Sequence, residues 1–193
     1  MRTLFLSLTV ILSAITVVQG CAPIIVAGGA TATVAATDRR TVGTQLDDEN
    51  IELTARRKLN DDNRLGDDIH INITCFNGTM LLTGEATTAE QRDIVVSLVR
   101  SIKGVKRVID SEINVREPTV FANRVHDSWI TGQVKARMLG TENLKATRIK
   151  VVTERSVVYL MGLISHREAD LATEDARAVS GVQRVVRMFE YTD

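Results

Sequence analysis

The sequence predicts an α+β fold made of two tandem copies of one small module. Three observations carry this. The pattern of apolar runs from Asn50 to Val115 recurs in the same order from Trp129 to Tyr191, which marks an internal repeat. Within each copy the apolar spacing alternates between helical and strand periods, in the order helix, strand, strand, helix, strand. Glycines fall at matching places, with Gly84 and Gly162 closing the second strands and Gly104-Val105 and Gly181-Val182 leading into the third. Each copy is expected to lay two helices on one face of a three-stranded mixed sheet. The first domain is assigned to residues 46–117, a linker to 118–125 and the second domain to 126–193.

Ahead of the modules, residues 1–20 read as an export signal. Arg2 precedes an apolar run from Leu4 to Val18, short of the roughly 20 residues a membrane-spanning helix needs. The end of that run, Val18-Gln19-Gly20-Cys21, resembles the lipobox of bacterial lipoproteins. That resemblance implies removal of residues 1–20 and a covalent lipid on Cys21 with palmitate-type acyl chains. Ala22, where an Asp would retain the protein at the inner membrane, implies delivery to the outer membrane. Residues 21–45 are rich in Gly, Ala and Thr, which offer little to pack, and are expected to form a flexible tether.

In the first copy, Ile51, Ala55 and Leu59 lie four apart on one helical face, and Ile130, Val134 and Met138 do the same in the second. The alternating runs that follow meet at Asn77-Gly78, a strong tight-hairpin signal. The corresponding Arg155-Ser156 is a weaker turn. Thr87-Thr88 and Ser165 are placed to cap the second helices, with Glu90 and Glu168 aligned as first-turn charges. Gly104 and Gly181 are read as left-handed helix ends. Pro118 donates no backbone hydrogen bond, so the last strand of the first copy must stop before it. Gly84 and Gly162 are read as sites of close backbone approach.

The charge balance excludes an obvious nucleic-acid binder: 24 basic residues face 24 acidic ones. The domains differ modestly, with 10 basic and 14 acidic residues from Asp47 to Glu117 against 11 and 9 from Ala122 to Asp193. With Cys21 lipidated, Cys75 has nothing to pair with; it sits in the alternation Ile69–Cys75 as a small buried strand residue. No nucleophile elbow, phosphate loop or dinucleotide fingerprint appears. His70, His126 and His166 have no metal-site spacing, and close carboxylates such as Asp47-Asp48-Glu49, Asp61-Asp62 and Asp67-Asp68 look like solvated charge. No catalytic residue, metal or cofactor is therefore expected.

One helix carries more apolar surface than a sheet-packed helix needs. Stepped at 100° per residue, Ile130, Val134 and Met138 gather on one side. Trp129, Gly132, Ala136 and Leu139 gather on the other, flanked by Lys135 and Arg137. Tryptophan with basic neighbours suits a membrane interface, the indole at headgroup depth and the cations at lipid phosphates. Trp129, Ala136 and Leu139 align with Asn50, Arg57 and Asn60 in the first copy, whose outer face is therefore expected to be polar. The alternative is that Trp129 and Leu139 pack on the other domain or on Phe121, or meet a protein partner.

The paired modules, with a glycine closing the second strand and Gly-Val-x-x-Val entering the third, resemble BON domains. Together with the lipobox, the segment from Ala36 to Gln45 and Asp127-Ser128-Trp129-Ile130-Thr131, they are similar to the dual-BON outer-membrane lipoproteins along essentially the whole chain. The resemblance implies a non-enzymatic periplasmic protein, anchored at Cys21, expected to be a monomer. It further implies binding of anionic phospholipid through the second domain, support of outer-membrane integrity, and enrichment at division sites. The alternative it leaves is a scaffold or holdase for the outer-membrane protein assembly machinery, using the same helix face.

Overall fold

A computed structural model describes residues 38–66, 68–116 and 121–193. The export signal, Cys21, the lead up to residue 37, residue 67, Glu117 at the end of the first assigned domain and Pro118–Val120 of the linker lie outside the described residues.

The element order is α1 Val42–Asn60, β1 His70–Phe76, β2 Thr79–Ala86, α2 Ala89–Arg100 and β3 Arg107–Val115, followed by α3 Phe121–Gly140. A 3-10 turn at Ala146–Arg148 leads into β4 Ile149–Glu154, β5 Val157–Ile164, α4 His166–Arg177 and β6 Arg184–Tyr191. Each sheet has the order first, second, third strand. The hairpin pair is antiparallel, and the strand returning after the second helix runs parallel to the central one. The mixed three-stranded sheet with two helices is thus realised twice.

Each helix pair covers one sheet face. In the first domain Ile51, Ala55 and Leu59 of α1 meet Ile73, Cys75, Met80 and Leu82. In the second, Ile130, Val134 and Met138 meet Val151, Val158, Leu160 and the alanines of α4. A third apolar cluster joins the domains: Phe76 and Leu81 pack with Tyr159 and Met161 on the sheet faces opposite the helices. The two sheets therefore stack face to face. Asn72 of β1 bonds Glu154 at the end of β4, whereas Asn77 just beyond β1 bonds Glu190 near the end of β6. β4 and β6 end at opposite edges of their sheet, so β1 runs diagonally over it. Lys150 to Glu52 and Arg184 to Glu112, both 2.8 Å, close the rim.

Several sequence expectations need correction. The tether does not remain unstructured to residue 45: Thr41 caps α1 by accepting from Thr44 N, and Arg40 lies 3.9 Å over the Phe76 ring while bonding Asp48. Part of the stretch assigned to the linker, 118–125, is helical, because α3 starts at Phe121. Gln91, not Glu90, is the counterpart of Glu168; each closes a capping box with Thr88 or Ser165. Gly104 and Gly181 do have positive φ, but they lie in the turn before the last strand, beyond the helix ends. Gly84 shows the close approach expected of it: at φ +117°, a Cβ there would sit 2.0 Å from the His70 carbonyl oxygen.

Candidate functional site

The face singled out on α3 is solvent-facing along its length. Ile130, Val134 and Met138 are fully buried, while Trp129 is 49% and Leu139 69% exposed. Gly132, Lys135, Ala136 and Arg137 are exposed as well. The structure thus keeps all six residues accessible, and among the described residues Trp129 and Leu139 are left exposed rather than buried against the other domain. One residue escaped the sequence reading: Val125, one turn before Trp129, is also exposed and extends the stripe. It lies in the stretch assigned to the linker, which hid its helical spacing.

His126 stacks on Trp129, with centroids 5.9 Å apart and planes 17° from parallel. This holds the indole against the helix surface. Gly132 has no fold-imposed reason to be glycine, since a Cβ there would meet nothing within 4 Å. A glycine inside a helix costs about 1 kcal/mol relative to alanine, and what it leaves here is a flat floor beside Trp129. The two flanking cations differ. Arg137 is tied to Asp175 of α4 at 3.2 Å, so part of its charge is already answered, while Lys135, on the other flank, is exposed and borders a cavity it shares with Glu49 and Glu52 of α1.

The first domain is a less clean contrast than its sequence suggested. Asn50, Arg57 and Asn60 do lie on the outside of α1, but Val42, Leu46 and Leu53 are exposed there too. The outer face of α1 is mixed, not polar. Charge separates the helices more sharply: α1 holds four acids and three bases, α3 three bases and one acid, the buried Asp127.

That buried acid exposes a second error. Asp48, read as solvated charge, is buried, and so is its counterpart Asp127. Asp48 accepts from the backbone N–H groups of Asn77 and Gly78 at 2.7 and 2.9 Å. Asp127 does the same for Arg155 and Ser156 at 2.7 and 2.8 Å. Cys75, buried as expected, donates its thiol to Asp48 at 3.2 Å; burial, then the Asp48 carboxylate, push the thiol up to about 12.

The three histidines stay apart, as their spacing implied, but one of them joins two carboxylates distant in sequence. His70 meets Glu85 and Glu154 in the seam between the sheets, with ligand atoms within 4.8 Å of one another. Burial lowers the His70 pKa, helped by the Arg124 charge, and burial raises that of Glu154. Among the described residues no helix is long and apolar enough to cross a membrane.

Comparison with known proteins bears on both halves. The BON domain family model matches residues 47–117 and again 126–193. The chain is 35% identical over 186 residues to the outer membrane lipoprotein DolP of Haemophilus influenzae, covering 96% of each. It is 36% identical over 154 residues to the 21 kDa hemolysin of Actinobacillus pleuropneumoniae, covering 80% of this chain and 79% of that one. To the osmotically-inducible protein Y of Escherichia coli it is 28% identical over 148 residues, covering 75% and 72%. The chain belongs to the BON domain family and carries two copies of the domain.

Proposed function

We propose that this two-copy BON protein is an outer-membrane lipoprotein, held at the periplasmic face by a lipid on Cys21, whose α3 outer face docks on anionic phospholipid. The observation that carries the reading is Trp129. The only tryptophan of the chain stands half exposed on a helix whose core contacts are already complete, in line with exposed Val125 and Leu139. A contiguous exposed apolar surface marks a contact site. Tryptophan above basic side chains is the combination that settles at headgroup depth. The relative from Haemophilus influenzae, named an outer membrane lipoprotein, covers nearly the whole chain and supports the anchor and the location.

In this reading residues 1–20 are removed and the segment from Cys21 connects the lipid to the folded body. Tethering raises the local concentration of headgroups, so a single helix face suffices for a second contact. Lys135 and Arg137 attract phosphate, and the modest charge of α3 makes the contact salt-sensitive. The protein acts as a monomeric binding module, not an enzyme, and supports outer-membrane integrity, with enrichment at division sites.

The test is co-sedimentation of the chain from Ala22 onward with anionic or zwitterionic vesicles. Selective anionic binding, lost in Trp129→Glu, is the expected result. A folded wild-type protein that ignores both vesicles would overturn lipid recognition and redirect the α3 face to a protein partner, the outer-membrane protein assembly machinery first.

A further inference from the structure

Away from the α3 face, the seam between the domains gathers one more chemically distinct group. His70 opens β1, and Glu85 is its direct cross-strand neighbour on β2. Glu154 ends β4 in the other domain and faces them across the seam. The three side chains place a ligand atom each within 4.8 Å of the others.

Glu85 is the anomaly. It is 0% exposed, and neither carboxylate oxygen has a hydrogen-bond partner. The Arg155 guanidinium stands 3.8 Å away, beyond hydrogen-bond reach. A second buried carboxylate, Glu154, lies close by and accepts from Asn72. Glu154 also accepts from the Thr83 hydroxyl at 3.5 Å, but two carboxylates this near each other in a buried seam repel, and no hydrogen-bond donor answers Glu85. A cavity of about 350 Å³ leads to the spot, lined among others by His70, Asn72 and Glu154.

We propose that His70, Glu85 and Glu154 form a divalent transition-metal site, of the zinc or manganese class, that staples the first domain to the second. One imidazole and two carboxylates suit those ions, whereas calcium and magnesium prefer oxygen alone. Tetrahedral zinc holds ligand atoms roughly 3.4 Å apart, a contraction within reach of flexible glutamate side chains. Arg155 sits on a turn with 30% of its side chain exposed and has room to swing out as the ion enters. The site belongs to the pair of domains and not to the BON module. By strand register, Arg148 and Leu163 stand in the second copy where His70 and Glu85 stand in the first, and Phe76 stands where Glu154 does.

The full chain in detergent micelles, stripped with a chelator, is titrated with Zn²⁺ and with Mn²⁺ by calorimetry and thermal unfolding. One ion per chain is expected, with Tm raised by about 5 °C at a hundredfold excess over Kd. Glu85→Gln and Glu154→Gln each remove one of two like charges, so they fold at least as stably without the ion and lose both responses. His70→Gln loses them as well, while His126→Gln and His166→Gln keep them. Failure of the wild type to bind either ion at micromolar concentration overturns the proposal. So does unchanged stoichiometry in Glu85→Gln and Glu154→Gln, or binding that disappears only with His126 or His166.

Discussion

Asp48 and Asp127 stand at the same place in the two domains and clamp the same turn. Each projects from the first helix of its module and accepts from both backbone N–H groups of the β-hairpin tip, all four bonds between 2.7 and 2.9 Å. The clamp explains how Arg155-Ser156 forms a tight turn without the Asn-Gly signal. Both residues adopt positive φ, 51° and 62°, a conformation disfavoured for side-chain-bearing residues.

Removing the clamp should therefore hurt. Asp127→Ala is expected to cost about 3 kcal/mol, since two charge-assisted bonds are lost and two turn N–H groups are left unpaired. Ser156→Gly should stabilise by about 1 kcal/mol, because glycine adopts positive φ without strain. Urea unfolding of both variants and of the wild type measures each effect. A neutral Asp127→Ala would mean the turn holds itself.

On α3, stability and function should separate. Gly132→Ala is expected to stabilise the protein by about 1 kcal/mol, because the added methyl meets nothing. Trp129→Glu and Leu139→Glu alter exposed positions and should shift stability by less than about 0.5 kcal/mol, yet abolish vesicle binding. Leu53→Glu, on the acid-rich α1, should leave vesicle binding intact. Thermal scans run beside the sedimentation assay report both properties.

Cys75 should behave as an inert thiol. Burial, with the Asp48 carboxylate beside it, puts its pKa near 12, so almost no thiolate exists at neutral pH and the sulfur is sheltered. The chain from Ala22 onward should resist maleimide at pH 7.5 for hours and react once unfolded in urea. Rapid labelling of the native protein would contradict the packing of α1 on β1.

Glu168 offers an acid-stability test. Burial tends to raise its pKa, but the bonds from Ser165, with Arg39 and Arg148 nearby, outweigh this and leave it lowered. The folded state then holds fewer protons than the unfolded one. Its contribution is complete above the unfolded carboxylate value of about 4.3 and is lost as pH falls through the lower folded value. Glu168→Gln should keep the capping box, because Gln91 fills the same position in α2, while losing the ion pairs to Arg39 and Arg148. The stability gap between wild type and variant should be largest near neutral pH and shrink below about pH 4, as followed by urea titration.

How much of this was legible beforehand depended on the distance over which the determining contacts act. The repeat, the ten main helices and strands of the described residues, the Asn77-Gly78 turn and the opposed faces of the Trp129 helix could all be read from the sequence. They rest on periodicity within a few turns of chain, and burying one side of an element writes itself into that spacing. Helix boundaries slipped where the signal was weak, at the Thr41 cap and at Phe121. Tertiary structure decided what the backs of the sheets do. β2 is buried on both faces, so the alternation that marks a half-exposed strand does not reveal that Leu81 and Glu85 meet another domain. Asp48 looks like one acid among three until the hairpin tip folds over it. His70 and Glu154 come together only through the register of two sheets contributed by different domains, and no local spacing encodes that register.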